Sequence, residues 1–426
     1  FVLRGGYGLQ NYMEGTGANL RMTTNLPFQT AFEGNGSVAT ASTPGSFFTI
    51  ENGMGSGSII SNTWNVWNKH FKPEFISIYN LTVEYQLSHS SSVQAGYVGE
   101  SGQHLVTANW RNQLHNPCII NGVIQTVATA NPNPQCLALA PAPFYATPGV
   151  GYNGSIRFTD SNAMMNYNAL QATFRQRLWH GLQFTTNYTW SHAMTNSTGF
   201  YGVPSITAAS AYAENVYDLH DEYGPTGQDV RNALNWDLVY DLPLGRGRMF
   251  GAKMPLVVDE VVGGWKIGMT GIGYSGFPVN ISATNNSSTN GNSQRANHYR
   301  SMKISSRSLT QWFGTDPSAV PCTTAGATTN SLGGLCAYGQ PAAGTFGTAR
   351  PTSERAPGYQ NYGASVTKDF TVWNEHQINF RADADNVTNH ASWGNPASNA
   401  SLTTFGQITT VRSGPRQMQL SVKYHF

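Results

Sequence analysis

The densest group of titratable side chains in the sequence is Asp218-Leu219-His220-Asp221-Glu222, with Asp229 beyond it. Carboxylates gathered this closely can hold a divalent cation. The run lacks the alternating ligand spacing and the turn glycine of an EF-hand loop, so a solvated loop is expected and no metal is assigned. Four cysteines, Cys118, Cys136, Cys322 and Cys336, fall in two stretches rich in Pro, Asn, Gly and Thr. None has the Cys-x-x-Cys spacing of a zinc site. Pairing within each stretch, Cys118 with Cys136 and Cys322 with Cys336, is the expected arrangement in an oxidising compartment. Closing loops of this size contributes about 3 kcal/mol on the chain-entropy estimate. There is no Gly-x-Ser-x-Gly elbow, no His-Glu-x-x-His helix and no phosphate-binding loop. No catalytic residue, metal or cofactor is therefore expected.

The remaining charges sit inside segments that alternate apolar and polar residues. Leu170, Ala172, Phe174 and Leu178 alternate with Gln171, Thr173, Arg175 and Arg177. After a tight turn at Trp179-His180-Gly181, Leu182, Phe184, Tyr188 and Trp190 alternate with Gln183, Thr185, Asn187 and Thr189. A period of two is the signature of a strand with one apolar and one polar face. The same pattern runs through 79–87, 93–97, 234–242 and 378–384, and more weakly, thinned by glycine, through 2–11, 264–276 and 358–369. On this register Arg175, Arg177, Arg381, Asp383 and Asp385 lie on the polar face, as possible contacts for a solute or another domain. Pairing among themselves is the plainer expectation.

About ten such segments can be counted, and each is long enough to cross a bilayer as a tilted strand. Their connections alternate in length. Those near 88–91, 178–181 and 370–375 are short and 243–263 is moderate. Those near 12–74, 106–166, 193–228, 277–357 and 389–415 are long. Short turns at one end and long loops at the other are characteristic of outer-membrane β-barrels, in which the short turns are periplasmic. Composition agrees. Only 11% of the 426 residues are charged, against about 25% in a typical soluble domain, yet the mean hydropathy is −0.33. The polarity comes from Asn, Gln, Ser, Thr and 45 glycines, which suits a lipid-facing band backed by a polar, largely uncharged lumen. A formal net charge of +2 leaves no electrostatic footprint for nucleic acid. No apolar run of about 18 residues is present, which excludes a transmembrane helix. The fold class expected is all-β: an antiparallel transmembrane β-barrel.

The chain closes on Met418, Leu420, Val422, Tyr424 and Phe426, one apolar face ending on an aromatic residue. This resembles the signal read by the barrel-assembly machinery of the outer membrane. The opening Phe1-Val2-Leu3-Arg4 has no initiator Met, basic region or cleavage site, so the chain is expected to begin partway into a longer protein.

Several segments, in order along the chain, resemble the large Oar-like TonB-dependent receptors. They include Arg4-Gly5-Gly6-Tyr7-Gly8, Tyr97-Val98-Gly99, Tyr167-Asn168-Ala169-Leu170-Gln171, Glu222-Tyr223-Gly224-Pro225 and Gly263-Gly264-Trp265. Further on come Gln311-Trp312-Phe313, Asn386-Val387-Thr388-Asn389-His390 and Phe405-Gly406-Gln407. The resemblance implies energy-coupled import of a solute across the outer membrane of a Gram-negative cell, with the TonB complex, membrane lipid and the assembly machinery as partners. It also implies a plug domain, an energy-coupling box and a barrel of about 22 strands. This chain shows neither plug nor box and about half the strands, so residues 1–426 are expected to be the C-terminal portion of such a barrel. A surface structural or adhesive barrel, a passive porin and an omptin-like rim protease are the alternative readings.

Overall fold

The computed structural model describes residues 1–12, 63–114, 117–125, 155–197, 213–289, 294–373 and 376–426, with short pieces at 22, 25, 32–33, 58–59, 199–200 and 203–204. Its main feature is an antiparallel path of ten strands. In chain order these are β1 (Val2–Tyr12), β2 (Glu74–Gln86), β3 (Ser91–Trp110), β4 (Ser155–Trp179) and β5 (Leu182–Thr195). They are followed by β6 (Asn232–Asp241), β7 (Lys266–Tyr274), β8 (Tyr359–Trp373), β9 (His376–Asp385) and β10 (Gln417–His425). Each pairs with its neighbour in sequence, so the whole path is built from consecutive strands. A short strand, Thr63–Trp67, adds to β4 in parallel, and Gly224–Pro225 adds to β5. No described helix is long and apolar enough to cross a membrane.

The registers carry one apolar face across all ten strands. Leu3 pairs with Val83, Val83 with Ala95 and Ala95 with Ala172. Ala172 then pairs with Tyr188, and Tyr188 with Leu234. Farther along, Leu238 pairs with Met269, Met269 with Ala364, Ala364 with Ala384 and Ala384 with Met418. A slip of one residue at any ladder would swap the faces. Leu81, Tyr97, Leu170, Tyr188, Trp190, Leu234 and Leu420 on this face are exposed in the isolated chain. Phe174 and Phe184 lie against each other, with ring centroids 6.2 Å apart. In water such a surface would be an aggregation hazard. Against acyl chains it is at equilibrium.

Turn chemistry sets the short connections. His180 (φ 51°) and Gly181 (φ 86°) occupy the two left-handed positions between β4 and β5, as a two-residue hairpin whose twist matches its strands requires. The Ser88 hydroxyl accepts from the amides of Ser90 and Ser91 to close the β2–β3 turn. On the apolar face Gly99 leaves room for the Tyr79 ring, which a Cβ would meet at 2.1 Å.

Two sequence expectations need correction. The connection expected over 106–166 is shorter, because β3 continues to Trp110 and β4 begins at Ser155. The 25 residues of β4 are more than twice the 9–11 or so that a tilted strand needs to cross a bilayer, so the wall extends beyond the apolar band. The long connections 277–357 and 389–415 are also not simple surface loops. They pack together around Val279, Ile281, Ala296, Phe313, Ala337 and Phe405, all buried. Phe313 and Phe405 stack at 4.9 Å, and Trp312 N–H donates to Gly406 O at 2.9 Å. This cap is the largest buried apolar cluster of the described residues.

Candidate functional site

The face opposite the apolar band is a polar wall. Thr173 donates to Asn187 and Asn187 to Asn235, each at 2.9 Å. Arg4 meets Glu84 at 2.9 Å, and Asn361 donates to Asp385 at 3.1 Å. These cross-strand pairs come from the odd–even pattern itself, because polar residues that alternate on paired strands arrive opposite one another. Arg381 and Asp383, two apart on β9, share that face and bond through Nε and Nη2 at 2.8–2.9 Å. Arg175 and Arg177 are exposed on β4.

Two hollows mark this wall. One, of about 440 Å³, is lined by Asp237, Thr270, Gly363, Ser365, Arg381 and Asp383. Its depth comes from glycine: a Cβ at Gly268 would meet Ser365 Oγ at 2.5 Å, and one at Gly363 would meet Thr270 Oγ1 at 2.8 Å. The other, of about 480 Å³, lies where the wall rises into the loops and is lined by Glu100, Tyr167, Met165, Thr195, Thr226 and Gln228. Sequence reasoning singled out Arg381, Asp383 and Asp385 but passed over Glu100 and Tyr167. Their signal was present: both sit on the polar phase of their strands and pair directly with each other.

Above the wall the acidic run divides. Asp218, His220 and Asp221 are exposed, as a solvated loop requires, but Glu222 and Asp229 are buried. Glu222 Oε1 lies 2.6 Å from Arg295 Nη1, and Glu214 lies 3.1 Å from Arg295 Nε, as two ion pairs to one guanidinium. Glu214 Oε1 also accepts from Gly347 N–H at 2.7 Å. Gln113 ties the same cluster to β3 by donating to Glu214 O and accepting from Val216 N–H. Burial pushes the Glu214 carboxyl up to about 7, with Arg295 acting in the opposite direction. Asp229 is the second hub. Arg355 holds both its backbone oxygen and its carboxylate, and Ala193 N–H donates to it at 2.8 Å. Burial raises the Asp229 carboxyl, but these bonds outweigh it and hold the group below the ordinary carboxylate range. Both hubs tie separate loops to one another over the mouth of the wall. The described residues contain no cluster of His, Cys, Asp and Glu suited to a metal ion.

Cys322 and Cys336 are joined in the cap, with Cα atoms 5.8 Å apart. Cys118 is disulfide-bonded, and Cys136 lies outside the described residues. Met418, Leu420, Val422, Tyr424 and Phe426 are all exposed on the apolar face or at its end. Tyr424 stacks on His376 and on Phe426, at 5.7 and 5.9 Å.

Residues 1–419 match the family model described as "Outer membrane beta barrel domain". No curated protein matches the chain. Similar solved structures include the FrpB iron transporter from Neisseria meningitidis, at 10% identity and TM-score 0.33, covering 84% of this chain and 32% of that one. The outer membrane transporter YddB from Escherichia coli is similar at 7% identity and TM-score 0.41, with 86% and 34% covered. A mutant of the ferric enterobactin receptor PfeA from Pseudomonas aeruginosa is similar at 10% identity and TM-score 0.34, with 83% and 32% covered. The chain spans about a third of the length of each of these structures. It is an outer-membrane protein. With its continuous apolar face, its polar wall and a family match over nearly its whole length, the chain belongs to the outer-membrane β-barrel family.

Proposed function

We propose that residues 1–426 form the distal wall of a TonB-dependent outer-membrane transporter. In this reading the plug and energy-coupling box lie in another part of the same protein. The observation that carries it is the state of the two ends of the path. From Val2 to Asn11 every residue of β1 is exposed, as is all of β10 except Ser421, whereas the inner strands are half-buried at many positions. Unpaired backbone groups in hydrocarbon cost several kcal/mol each, so a membrane wall ending on two open edges calls for further strands. Ten strands plus a comparable number give the width of a plugged transporter rather than a small filled barrel. The Glu100–Tyr167 hollow and the groove beside Arg381 and Asp383 are then solute or plug contacts on the lumen side. The assembly role of Phe426 and a Cys118–Cys136 bond belong to the same reading.

The test is uptake by cells carrying the full-length protein in place of their own receptors. Labelled ferric siderophores, cobalamin, glycans and peptides would be supplied with and without a working TonB complex. Accumulation that disappears without TonB supports the reading. Accumulation that persists points to a passive pore, and surface binding without accumulation points to an adhesive barrel.

A further inference from the structure

The connection between β6 and β7, at the end of the sheet with short turns, carries an unusual surface. It is an ordered turn: Phe250 N–H donates to Pro243 O, Met254 N–H to Gly251 O and Arg246 N–H to Asp259 Oδ1. It includes helix α1 (Leu256–Val262), which has no buried residue. Met249, Phe250, Leu256, Val257 and Val261 are 54–81% exposed, although the local hydrogen bonding is complete enough to fix the turn.

Its position is set by an outward-facing lysine. Lys368 pairs across β8–β9 with Phe380, and Phe380 pairs across β9–β10 with Val422, so Lys368 belongs to the apolar face. It is nevertheless only 3% exposed. Its Nζ donates to Gly263 O and lies 3.5 Å from Asp259 O, at the C-terminal end of α1, where carbonyl groups attract a cation. Trp265 covers it, edge-on to Phe370 and Phe380 at 6.5 and 6.2 Å, and Trp265 Nε1 donates back to Val261 O. The turn is thus clamped to the outside of the wall, continuous with the apolar band. Arg246, Arg248 and Lys253 are exposed around it, while Asp259 is turned inward and Glu260 is the exposed carboxylate of the helix.

We propose that this turn is a lipid-binding foot: Phe250, Val257 and Val261 enter the acyl region of the adjoining leaflet, and Arg246, Arg248 and Lys253 contact anionic phospholipid headgroups. Apolar residues on one surface with cations beside them are the pattern of an element lying in the membrane interface. The inference rests on the apolar band meeting lipid but does not depend on what the protein transports.

The experiment places nitroxide labels at Val257→Cys and Val261→Cys in the full-length protein, reconstituted in vesicles of phosphatidylethanolamine and phosphatidylglycerol. Leu234→Cys on the band and Asn235→Cys on the polar wall are the references. Labels at 257 and 261 should match 234, open to oxygen and shielded from a water-soluble nickel chelate, about 5–10 Å below the headgroups. Replacing phosphatidylglycerol with phosphatidylcholine should make them shallower. Changing Arg246, Arg248 and Lys253 together to Gln should abolish that dependence on lipid. Nickel access at 257 and 261 while 234 remains in lipid overturns the proposal. Shielding that rises with protein concentration identifies a second copy as the occupant and also overturns it. Nickel access at 234 as well removes the band reading, and this inference falls with it.

Discussion

At the scale of single residues, burial makes Glu214 responsive to pH near neutrality. Its carboxyl moves from an ordinary value of 4.5 to about 7 because it is buried. A raised value means the closed loops bind a proton more tightly than the opened ones. The resulting stabilisation is complete below about pH 4.5 and is lost as pH rises through about 7. Protection of the Val216 and Gly347 amides from hydrogen exchange, corrected for intrinsic rate, should therefore be greater at pH 5 than at pH 8. Glu214→Gln should flatten that profile. The cap disulfide gives a second expectation. Replacing Cys322 and Cys336 with Ser should destabilise the cap by about 3 kcal/mol, seen as faster proteolysis within 277–357, while the heat-modifiable barrel remains intact.

Such residues show where sequence reading stops. Glu222 and Asp229 read as solvated because a run of acids in a long connection usually is, although Arg231, two residues from Asp229, lies 3.7 Å from it. Their partners Arg295 and Arg355 lie 73 and 126 residues away, and only tertiary folding brings them together. The cap core failed to register for a related reason. Its apolar residues are spread among Gly, Asn and Ser with no sustained period, and Val279 and Ile281 become neighbours of Phe313 and Phe405 only once two distant connections meet.

At the scale of elements the strands were legible, because a period of two is local and survives without tertiary information. Predicted faces of the Ala169–Ser191 hairpin coincide with the observed register from Ser191 to Phe184, below which a bulge shifts the pairing so that Leu182 meets Trp179. Strand ends were less legible: β3 continues through 106–110 and β4 begins at 155, in mixed sequence without a sustained alternation that reads like a loop. The face assignment makes a quantitative prediction. Leu234→Arg, on the apolar face, should destabilise the folded barrel by about 2–4 kcal/mol near the midplane, whereas Asn235→Arg on the polar wall should cost well under 1 kcal/mol. Denaturant titration of the two variants in the same lipid measures the difference. Deleting Phe426 tests the last strand. Its ring extends the Tyr424 stack at the end of the sheet where aromatic residues favour the interface. The amount of heat-modifiable protein in the outer membrane should fall, while solute binding per folded molecule stays nearly unchanged.

At the scale of the whole molecule, the account is a wall with lipid on one side and water on the other, roofed by loops that carry their own core, ion pairs and disulfides. The most direct measurement of that arrangement is a scan of single cysteines along 170–175 and 183–190, probed in native outer membranes with a membrane-impermeant maleimide. Reactivity should alternate, high at Gln171, Thr173, Arg175, Gln183, Asn187 and Thr189 and low at Leu170, Phe174, Phe184, Tyr188 and Trp190. Uniform reactivity along the hairpin, or alternation in the opposite phase, would contradict the account.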